Sequence, residues 1–245
     1  MKVLVTGSHG FIGSYLVRHL RNLEHEVICV DLKIGKDVWE IKKRDLLEVG
    51  FVVHLAAFAD VRKSLEEPDL YFHNNIRMTK DLQEKCHDTK IPMLYASSSC
   101  VHQWYLSPYG TSKMVNEQTA FENQVGLRFT TVYGNGCREG MLFDRIKNRT
   151  LTSITNHIRD FVHVEDVVDA IMVFINQGLD GKRPVYDIGT GISIKVDEMV
   201  NRYLGMNVPV VNGLPCEAQD NTCDPRNMQE LGWLATKNFI DYVRE

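Results

Sequence analysis

The sequence has few of the features that mark secreted, membrane-spanning or nucleic-acid-binding proteins. Its 28 basic residues are outnumbered by 32 acidic residues, and a net charge of −4 offers no positive field to nucleic acid. No apolar run approaches the roughly 20 residues of a transmembrane helix, and residues 1–6 resemble no secretory signal. We therefore expect a cytoplasmic protein without membrane or nucleic-acid partners.

Patterns for metal binding and for disulfides are also missing. The six cysteines are scattered along 245 residues, with neither a CxxC pair nor an HExxH motif, so we interpret them as reduced thiols. His157 and His163 lie in a mixed apolar and charged segment, and we interpret them as unrelated histidines. No metal is expected.

Short β-branched runs alternate with amphipathic stretches along the chain. The runs cover 2–6, 26–30, 51–55 and 92–97, and helical spacing occurs at 11–22, 69–87, 107–124, 166–177 and 194–204. This alternation predicts an α/β fold, with a doubly wound parallel sheet covered by helices. The runs are continuously apolar, as strands buried on both faces require.

Three glycines lie between the first predicted strand and the first predicted helix, at Gly7, Gly10 and Gly13. Glycine lets backbone N–H groups approach a pyrophosphate, whose charge the positive end of the helix then favours. Asp31 ends the second predicted strand, where a carboxylate accepts hydrogen bonds from ribose hydroxyls and repels a 2′-phosphate. The pattern predicts a Rossmann-type sheet that binds NAD in preference to NADP, with Lys33 as the one nearby cation that argues otherwise.

Turn-rich segments become frequent after about residue 135. We expect residues 1–135 to form the NAD-binding domain, joined by returning segments at about 160–190. Residues 136–245 are expected to form a small C-terminal substrate-binding lobe that does not fold independently.

A tyrosine and a lysine, Tyr109 and Lys113, are four residues apart in a predicted helix, so both project from one face. An unperturbed tyrosine has a pKa of about 10, and an adjacent ammonium group is expected to lower the pKa of the Tyr109 phenol until it is a usable base. The polar run 96–100 follows a predicted strand, so it lies at the carboxyl end of the sheet, where ligands bind. One of its hydroxyls is expected to orient the substrate.

Six segments together resemble the extended short-chain dehydrogenases that act on nucleotide sugars. They are TGSHGFIG at 6–13, HLAAFADV at 54–61, YASSSCV at 95–101, PYGTSK at 108–113, LRFTTVYG at 127–134 and RDFVHVEDVVDAI at 159–171. The segments follow the order and approximate spacing of that family, and the likeness continues to Leu231, Gly232 and Trp233. On these motifs the chain is identified as a member of the NAD-dependent nucleotide-sugar epimerase/dehydratase family.

The resemblance implies roles for individual residues. The NAD-binding residues that it implies are Gly7, Gly10, Phe11, Ile12, Gly13, Asp31, Leu32, Asp45, Leu46, Leu55, Ala56, Ala57, Asn75, Ser97, Tyr109 and Lys113. Tyr109 is implied as the catalytic base, Lys113 as its partner and Ser98 as the catalytic hydroxyl. The substrate-binding residues that it implies are Ser98, Ser99, Cys100, Tyr109, Thr131, Arg138 and Arg159.

The reaction implied by the resemblance is inversion of C4 of a nucleotide-linked sugar through transient oxidation. Tyr109 would take the proton of the C4 hydroxyl, a 4-keto sugar would form, and reduction from its other face would invert the carbon. The segment 127–134, with Arg138 after it, resembles UDP-glucuronate 4-epimerases most. Cys100 and the Glu-Gly that follows Arg138 depart from that pattern, so a neutral UDP-hexose stays open.

Cys100 also bears on other reactions of the family. Dehydratases and decarboxylases carry an acidic residue there, and a thiol is a poor replacement for a carboxylate. The stretch 98–101 resembles GDP-fucose synthase, a keto-sugar reductase and 3,5-epimerase, but that enzyme uses NADP and a histidine that is absent from 134–156 here. An alternative of another class is a non-catalytic, dinucleotide-sensing protein.

The segment between Ser98 and Tyr109 has only ten residues, about half of what the family usually has, and the missing loop normally covers the sugar. Either the pocket is unusually open, or a second subunit closes it, or sugar turnover is compromised. The family often forms a homodimer through helices equivalent to 69–87 and 107–124, and a homodimer is expected here. The apolar face considered for that contact consists of Tyr71, Phe72, Met78 and Leu82, and their spacing is equally consistent with ordinary core packing.

Overall fold

The computed structural model describes residues 1–244, which contain eleven strands and ten α-helices. The strands are β1 (Lys2–Thr6), β2 (Glu26–Val30), β3 (Phe51–His54), β4 (Met93–Ser98), β5 (Gln124–Phe129), β6 (Thr131–Tyr133), β7 (Ile154–Thr155), β8 (Ile158–His163), β9 (Val185–Ile188), β10 (Ser193–Lys195) and β11 (Val210–Val211). The helices are α1 (Phe11–Asn22), α2 (Lys43–Leu46), α3 (Lys63–Glu66), α4 (Pro68–Tyr71), α5 (Met78–Asp88), α6 (Pro108–Gln118), α7 (Leu142–Lys147), α8 (Val164–Gln177), α9 (Arg226–Gln229) and α10 (Phe239–Arg244). None of the helices within residues 1–244 is both long enough and apolar enough to cross a membrane.

Six parallel strands form the central sheet, in the order β2-β1-β3-β4-β5-β9. In the middle of this sheet, Val3 of β1 pairs with Val27 of β2 on one side and with Phe51 of β3 on the other. Parallel neighbours need crossover connections, and these place helices on both faces. The predicted doubly wound α/β fold is confirmed.

Alternate residues of the central strands enter two separate apolar clusters, because successive side chains of a strand point to opposite faces. Val3, Val5 and Val53 belong to the cluster that also contains buried residues of α1 and α8. Leu4 and Val52 belong to the cluster that contains buried residues of α2 and α5. The sheet is therefore buried on both faces, as its continuous apolar runs predict.

The second half of the chain adds two small sheets, β10-β8-β6 and β11-β7. A third apolar cluster lies beside them, where the rings of Tyr133 and Phe143 stack with centroids 4.8 Å apart. Two parts of this half return to the main body. β9 pairs with β5, and Trp233 joins the first cluster while its indole N–H donates to the Asp166 carbonyl at 2.9 Å. The domain boundaries given above remain a prediction.

Two predicted helices differ from the structure. The pattern at 107–124 predicts one helix, but α6 ends at Gln118, and the side chain of Gln124 accepts a hydrogen bond from the Phe121 amide at 3.2 Å, which closes a turn before β5. The pattern at 194–204 is a strand first, because Ile194 pairs with Arg159 of β8, and a π-helix begins only at Glu198. Pairing with a neighbouring strand overrides helical spacing there.

The predicted helix 69–87 is found as α4, a π-helix at Phe72–Arg77 and α5, with helical backbone angles at both junctions. Apart from the π-helix, the segment is α-helical as its apolar spacing predicts. Tyr71 and Leu82 are 1% and 0% exposed, so half of the expected dimer face is packed inside this chain. The apolar spacing of the helix reflects its own core, and the homodimer remains a prediction.

Candidate active site

The turn between β1 and α1 is folded so tightly that two of its positions cannot carry a side chain. Gly7 has a φ of +65°, and a Cβ there would lie 2.7 Å from the amide nitrogen of Ala56. A Cβ on Gly13 would lie 2.0 Å from the carbonyl oxygen of Gly7. The Gly10 amide donates to that same oxygen at 2.9 Å and closes the turn. The three predicted glycines therefore bring bare backbone to the start of α1.

This turn fits the pyrophosphate of a dinucleotide. Gly10 caps the twelve-residue α1 without any side-chain hydrogen bond, so the first N–H groups of the helix keep their positive end free for an anion. Phe11 and Ile12, the first two residues of α1, are partly exposed beside them. The backbone of the glycine turn therefore fits the pyrophosphate of NAD, the cofactor that the sequence predicts.

Asp31 lies at the end of β2 and faces the glycine turn. One carboxylate oxygen accepts from the His9 amide at 2.8 Å, and the other accepts from the Lys33 amide at 2.9 Å. The Lys33 ammonium donates to the His9 carbonyl at 2.9 Å, so it is bound to the turn. Asp31 is thereby fixed where a ribose hydroxyl would meet it, and Leu32 beside it is exposed.

The segment after β3 runs against the same turn. The Leu55 and Ala56 amides donate to the backbone and side-chain oxygens of Thr6, at 3.1 and 3.2 Å, and Ala57 follows, partly buried. Asn75 is completely buried and holds the next residue, Phe58, by hydrogen bonds to both its amide and its carbonyl at 2.9 and 2.8 Å. Asn75 supports the lining segment instead of reaching the cleft itself.

Three other predicted NAD-binding residues have local partners or burial that limit which of their atoms can meet a ligand, and their assignment to NAD stays a prediction. The side chain of Leu46 is completely buried in the second apolar cluster, so only its backbone is available to a ligand. Asp45 is exposed and accepts from the Lys42 amide at 2.8 Å. The Ser97 hydroxyl donates to Glu117 at 2.5 Å, on the face of β4 opposite to Ser98.

The predicted catalytic residues meet at the carboxyl end of β4. Helix α6 begins there because the Ser107 hydroxyl accepts from the Gly110 amide at 3.1 Å and Pro108 takes the first helical position. Tyr109, Lys113 and Ser98 are 8%, 3% and 7% exposed. The Lys113 ammonium donates to the Ala96 carbonyl at 2.8 Å, which ties α6 to the strand that ends in Ser98.

The electrostatics of Tyr109 differ from the expectation. Burial raises the pKa of the phenol above its ordinary value, the nearby Cys100 thiol raises it further, and a hydrogen bond with Ser98 lowers it. The Lys113 ammonium is 5.8 Å from the centre of the Tyr109 ring, and burial lowers the pKa of Lys113 itself to about 8. The expected lowering by Lys113 is therefore not found. The cation that lowers the pKa of the phenol is Arg138, and burial raises that pKa by more.

The predicted substrate residues surround this group from two sides. Ser99 is buried and Cys100 is partly buried, both directly after Ser98, and burial raises the pKa of the Cys100 thiol. The Thr131 hydroxyl accepts from the side-chain amide of Asn221 at 2.9 Å. Hydroxyl and thiol groups thus lie on the strand ends that flank Tyr109.

Two predicted arginines bring positive charge to the same place. Arg159 donates to the carbonyls of Ile158 and Gln219, at 2.8 and 3.3 Å, and burial lowers its pKa while its charge lowers the pKa of Cys100. Arg138 is half exposed, lies 3.4 Å from the carboxylate of Asp60, and its charge lowers the pKa of Tyr109. Two guanidinium groups therefore reach the cleft, with the carboxylates of Asp60 and Glu217 close to them.

Comparison with known proteins agrees with this geometry. The model of the "NAD dependent epimerase/dehydratase family" matches residues 3–189. Protein CapI of Staphylococcus aureus is 31% identical, with 91% of this chain and 86% of CapI covered. MoeE5, solved in complex with UDP-glucuronic acid and NAD, is 30% identical with a TM-score of 0.87, covering 100% of this chain and 97% of MoeE5. UDP-glucuronic acid 4-epimerase from Bacillus cereus, solved with UDP-glucuronic acid and NAD, is 25% identical with a TM-score of 0.85, covering 100% and 97%.

The chain belongs to the NAD dependent epimerase/dehydratase family. It is therefore an NAD-dependent enzyme of that family, and the family, fold and cofactor inferred from the motifs are confirmed. The dinucleotide-sensing alternative loses its basis.

The sequence patterns did not predict a buried network of charged residues that lies beside Tyr109 and Lys113. Glu117, four residues beyond Lys113 on α6, accepts from Ser97 at 2.5 Å and from two nitrogens of Arg128 at 2.6 and 2.9 Å. Asp187 lies 3.9 Å from the same guanidinium. Positions 109, 113 and 117 repeat every four residues, and this helical spacing was the available signal for Glu117.

The sequence patterns also did not predict a second set of charged residues, which lies at the outer edge of the cleft. Arg62 donates to both carboxylate oxygens of Glu217, at 2.9 and 3.3 Å, and His157 lies 3.8 Å from that carboxylate. Asp60 and Arg138 form a similar pair beside it. These partners are far apart along the chain, so no local pattern marks them.

Proposed function

We propose that this chain is an epimerase that inverts C4 of a UDP-linked hexose or hexuronate. The observation that carries the proposal is the convergence of Tyr109, Lys113 and Ser98 at the carboxyl end of β4, on the edge of the sheet that also carries the glycine turn. Two relatives of similar fold were solved with UDP-glucuronic acid and NAD, and one of them is a 4-epimerase. Both facts favour oxidation and reduction at a sugar hydroxyl.

The roles of the three residues follow from their surroundings. The Ser98 hydroxyl lies close enough to the Tyr109 phenol to lower its pKa, so we assign it to hold the C4 oxygen of a sugar against that phenol. Tyr109 removes the proton of the C4 hydroxyl and returns it after the sugar has turned. NAD supplies the hydride acceptor and donor when it is bound. Lys113 contributes positive charge, and its bond to the Ala96 carbonyl fixes the angle of α6.

The anionic parts of the substrate are assigned to the two arginines. Arg159 lies on β8 and is partly buried, so we assign it to the diphosphate. Arg138 is half exposed and its charge reaches Tyr109, which suits the carboxylate of a hexuronate. Ser99, Cys100 and Thr131 are assigned to the remaining sugar groups.

A second candidate function is favoured by Cys100. Burial raises the pKa of this thiol, so it stays protonated at neutral pH and can donate a proton beside a ketone. Such chemistry belongs to a keto-sugar reductase and 3,5-epimerase of the kind that the sequence resembles in part. A net reductase consumes one NADH or NADPH per sugar, whereas a 4-epimerase consumes none, so cofactor stoichiometry separates the two.

The test of the 4-epimerase uses a matched pair of variants. The purified protein is incubated with UDP-glucuronate or UDP-glucose, without added cofactor, and the 4-epimer is followed by proton NMR. Tyr109→Phe is expected to lower turnover by about 10²–10⁴-fold, because it removes the acid and base. Tyr105→Phe removes a hydroxyl from an exposed ring on the preceding segment, and it is expected to leave turnover unchanged. Wild-type rates in Tyr109→Phe would exclude Tyr109 from the mechanism.

A further inference from the structure

The short segment between β4 and α6 is held down against α6. Ser99–Leu106 forms two short 3-10 helices with a kink at Gln103, and the carbonyl oxygen of Trp104 accepts from the Thr111 hydroxyl at 3.2 Å. A Cβ on Gly110 would lie only 2.9 Å from that same oxygen. The segment that in relatives covers the sugar is therefore used here to pack the first turn of α6.

Two other segments meet at the mouth of the cleft. The first is 59–62, which follows β3, and the second is 213–219 near the C-terminus. Arg62 Nε and Nη2 lie 2.9 and 3.3 Å from the two carboxylate oxygens of Glu217, a two-point ion pair between groups 155 positions apart. The pair joins the carboxyl edge of the main sheet to the smaller sheets.

Both ends of this pair are held in place before they meet. The Asp60 carboxylate accepts from the amides of Arg62 and Lys63, at 3.0 and 3.1 Å, and so fixes the turn that carries Arg62. On the other side, the Ile158 amide donates to the Gln219 carbonyl at 2.8 Å. The two partners therefore lose little side-chain and backbone freedom when they pair.

The pair also lies next to the reacting groups. The charge of Glu217 raises the pKa of Cys100, while Arg159, whose guanidinium donates to the Gln219 carbonyl, lowers it. Arg159, which we assign to the diphosphate, and Glu217 therefore lie on one side of the cleft. Arg62 lies on the other side.

We propose that the Arg62–Glu217 ion pair is a latch that closes the cleft over the bound nucleotide sugar and replaces the shortened cover. The inference rests on the proposed nucleotide-sugar substrate. The Arg62 side chain is 57% exposed and that of Glu217 16%, so the pair is weak enough to open at each turnover. The Asp60–Arg138 pair, at 3.4 Å, lies alongside. The latch retains the ligand, and it does not take part in the chemistry.

The test is a double-mutant cycle on the release of UDP from the NAD-loaded enzyme, measured by surface plasmon resonance. Arg62→Gln, Glu217→Gln and the double variant are each expected to speed release by about three- to fivefold, the range of a partly exposed ion pair, and to the same extent because they break one interaction. KM should rise while kcat stays near the wild-type value. Lys63→Gln/Glu67→Gln breaks an exposed pair within one turn of chain, at 3.6 Å, and should change nothing.

Different outcomes would overturn the latch. If Glu217 instead competes with the diphosphate for the arginines, Glu217→Gln slows UDP release while Arg62→Gln speeds it. If the two residues act separately, their effects multiply in the double variant. Unchanged release in all three variants likewise refutes the proposal. UDP release needs no turnover, so the absence of C4 epimerisation would count against the proposed function and leave this test intact.

Discussion

Replacing Glu117 by glutamine would remove the charge of a buried network and keep the shape of the side chain. Removing one partner of a buried ion pair costs about 3–5 kcal/mol, because the other charge is left without compensation. Arg128 would keep the Asp187 carboxylate at 3.9 Å, and its side chain is 20% exposed, so we expect a smaller loss of roughly 2–3 kcal/mol. For a chain of this size that is a fall in Tm of roughly 4–12 °C.

The same change should alter the pH dependence of activity. Burial lowers the pKa of Lys113 to about 8, and the charge of Glu117 raises it in opposition. Without that charge the pKa of Lys113 falls below about 8, so the ammonium form is lost earlier as the pH rises. The alkaline limb of kcat is therefore expected to move to lower pH in Glu117→Gln.

Thermal unfolding by circular dichroism and initial rates at neutral to alkaline pH would measure the two effects. Glu122→Gln is a suitable control, because Glu122 has an 81% exposed side chain 3.7 Å from His87 and should change neither quantity. A Glu117→Gln variant that loses less than about 1 kcal/mol, the value of an ordinary surface pair, and keeps its alkaline limb would refute the argument.

Two further predictions concern the glycine turn and a buried histidine. Gly13→Ala places a Cβ 2.0 Å from the Gly7 carbonyl oxygen, and overpacking strain of about 1–3 kcal/mol should weaken NAD binding roughly 5- to 150-fold in a fluorescence titration. Gly50→Ala, whose Cβ would meet nothing closer than 3.4 Å, should bind NAD normally, and equal affinities would contradict the clash. Burial lowers the pKa of His54 to about 3, from 6.5 when exposed. Between these two values the unfolded chain binds more protons than the folded chain. The contribution of His54 to the free energy of unfolding is therefore fully present above pH 6.5, and it falls by roughly 1.4 kcal/mol per pH unit as the pH drops below that. His54→Gln should flatten that slope in urea titrations, and parallel curves would count against it.

The parts of the site that sequence alone predicts are those set by local geometry. Gly7 and Gly13 mark a turn in which nothing larger fits, and that requirement is visible in the spacing of a few residues. Tyr109 and Lys113 share a helix face because they are four residues apart. The strand ends carry Asp31 and Ser98 to the same edge because every strand of the central sheet is parallel.

Strand geometry alone separates the side chains of two neighbouring residues of the predicted site. Ser97 and Ser98 are adjacent in a strand, so they must point to opposite faces of the sheet. Only one of them can reach the cleft, and the structure gives that position to Ser98 while Ser97 binds Glu117. The family resemblance assigned Ser97 to NAD and Ser98 to catalysis and the sugar. Because the Ser97 hydroxyl binds Glu117, its backbone is the part left for NAD, and the assignment of Ser97 stays a prediction.

Other features could not be found in this way, because they depend on how distant segments pack. Arg62 and Glu217 are each ordinary surface-type residues in sequence, and their pairing exists only after the C-terminal segment has been laid across β8. The buried environment of Leu46 likewise depends on a cluster drawn from several strands and helices. Charge and hydropathy patterns give no information at that range.

The packing that brings Tyr109 and Lys113 together also opposes their charged forms. Desolvation raises the pKa of the phenol and lowers that of the lysine to about 8, so the phenol is neutral at neutral pH while most of the lysine still carries its charge. An additional positive charge beside the phenol is needed before Tyr109 can act as a base. Bound NAD in its oxidised form would supply such a charge. Tyr109 is therefore expected to accept a proton from the sugar hydroxyl only when a hydride acceptor is present. Removal of the proton is then coupled to removal of the hydride.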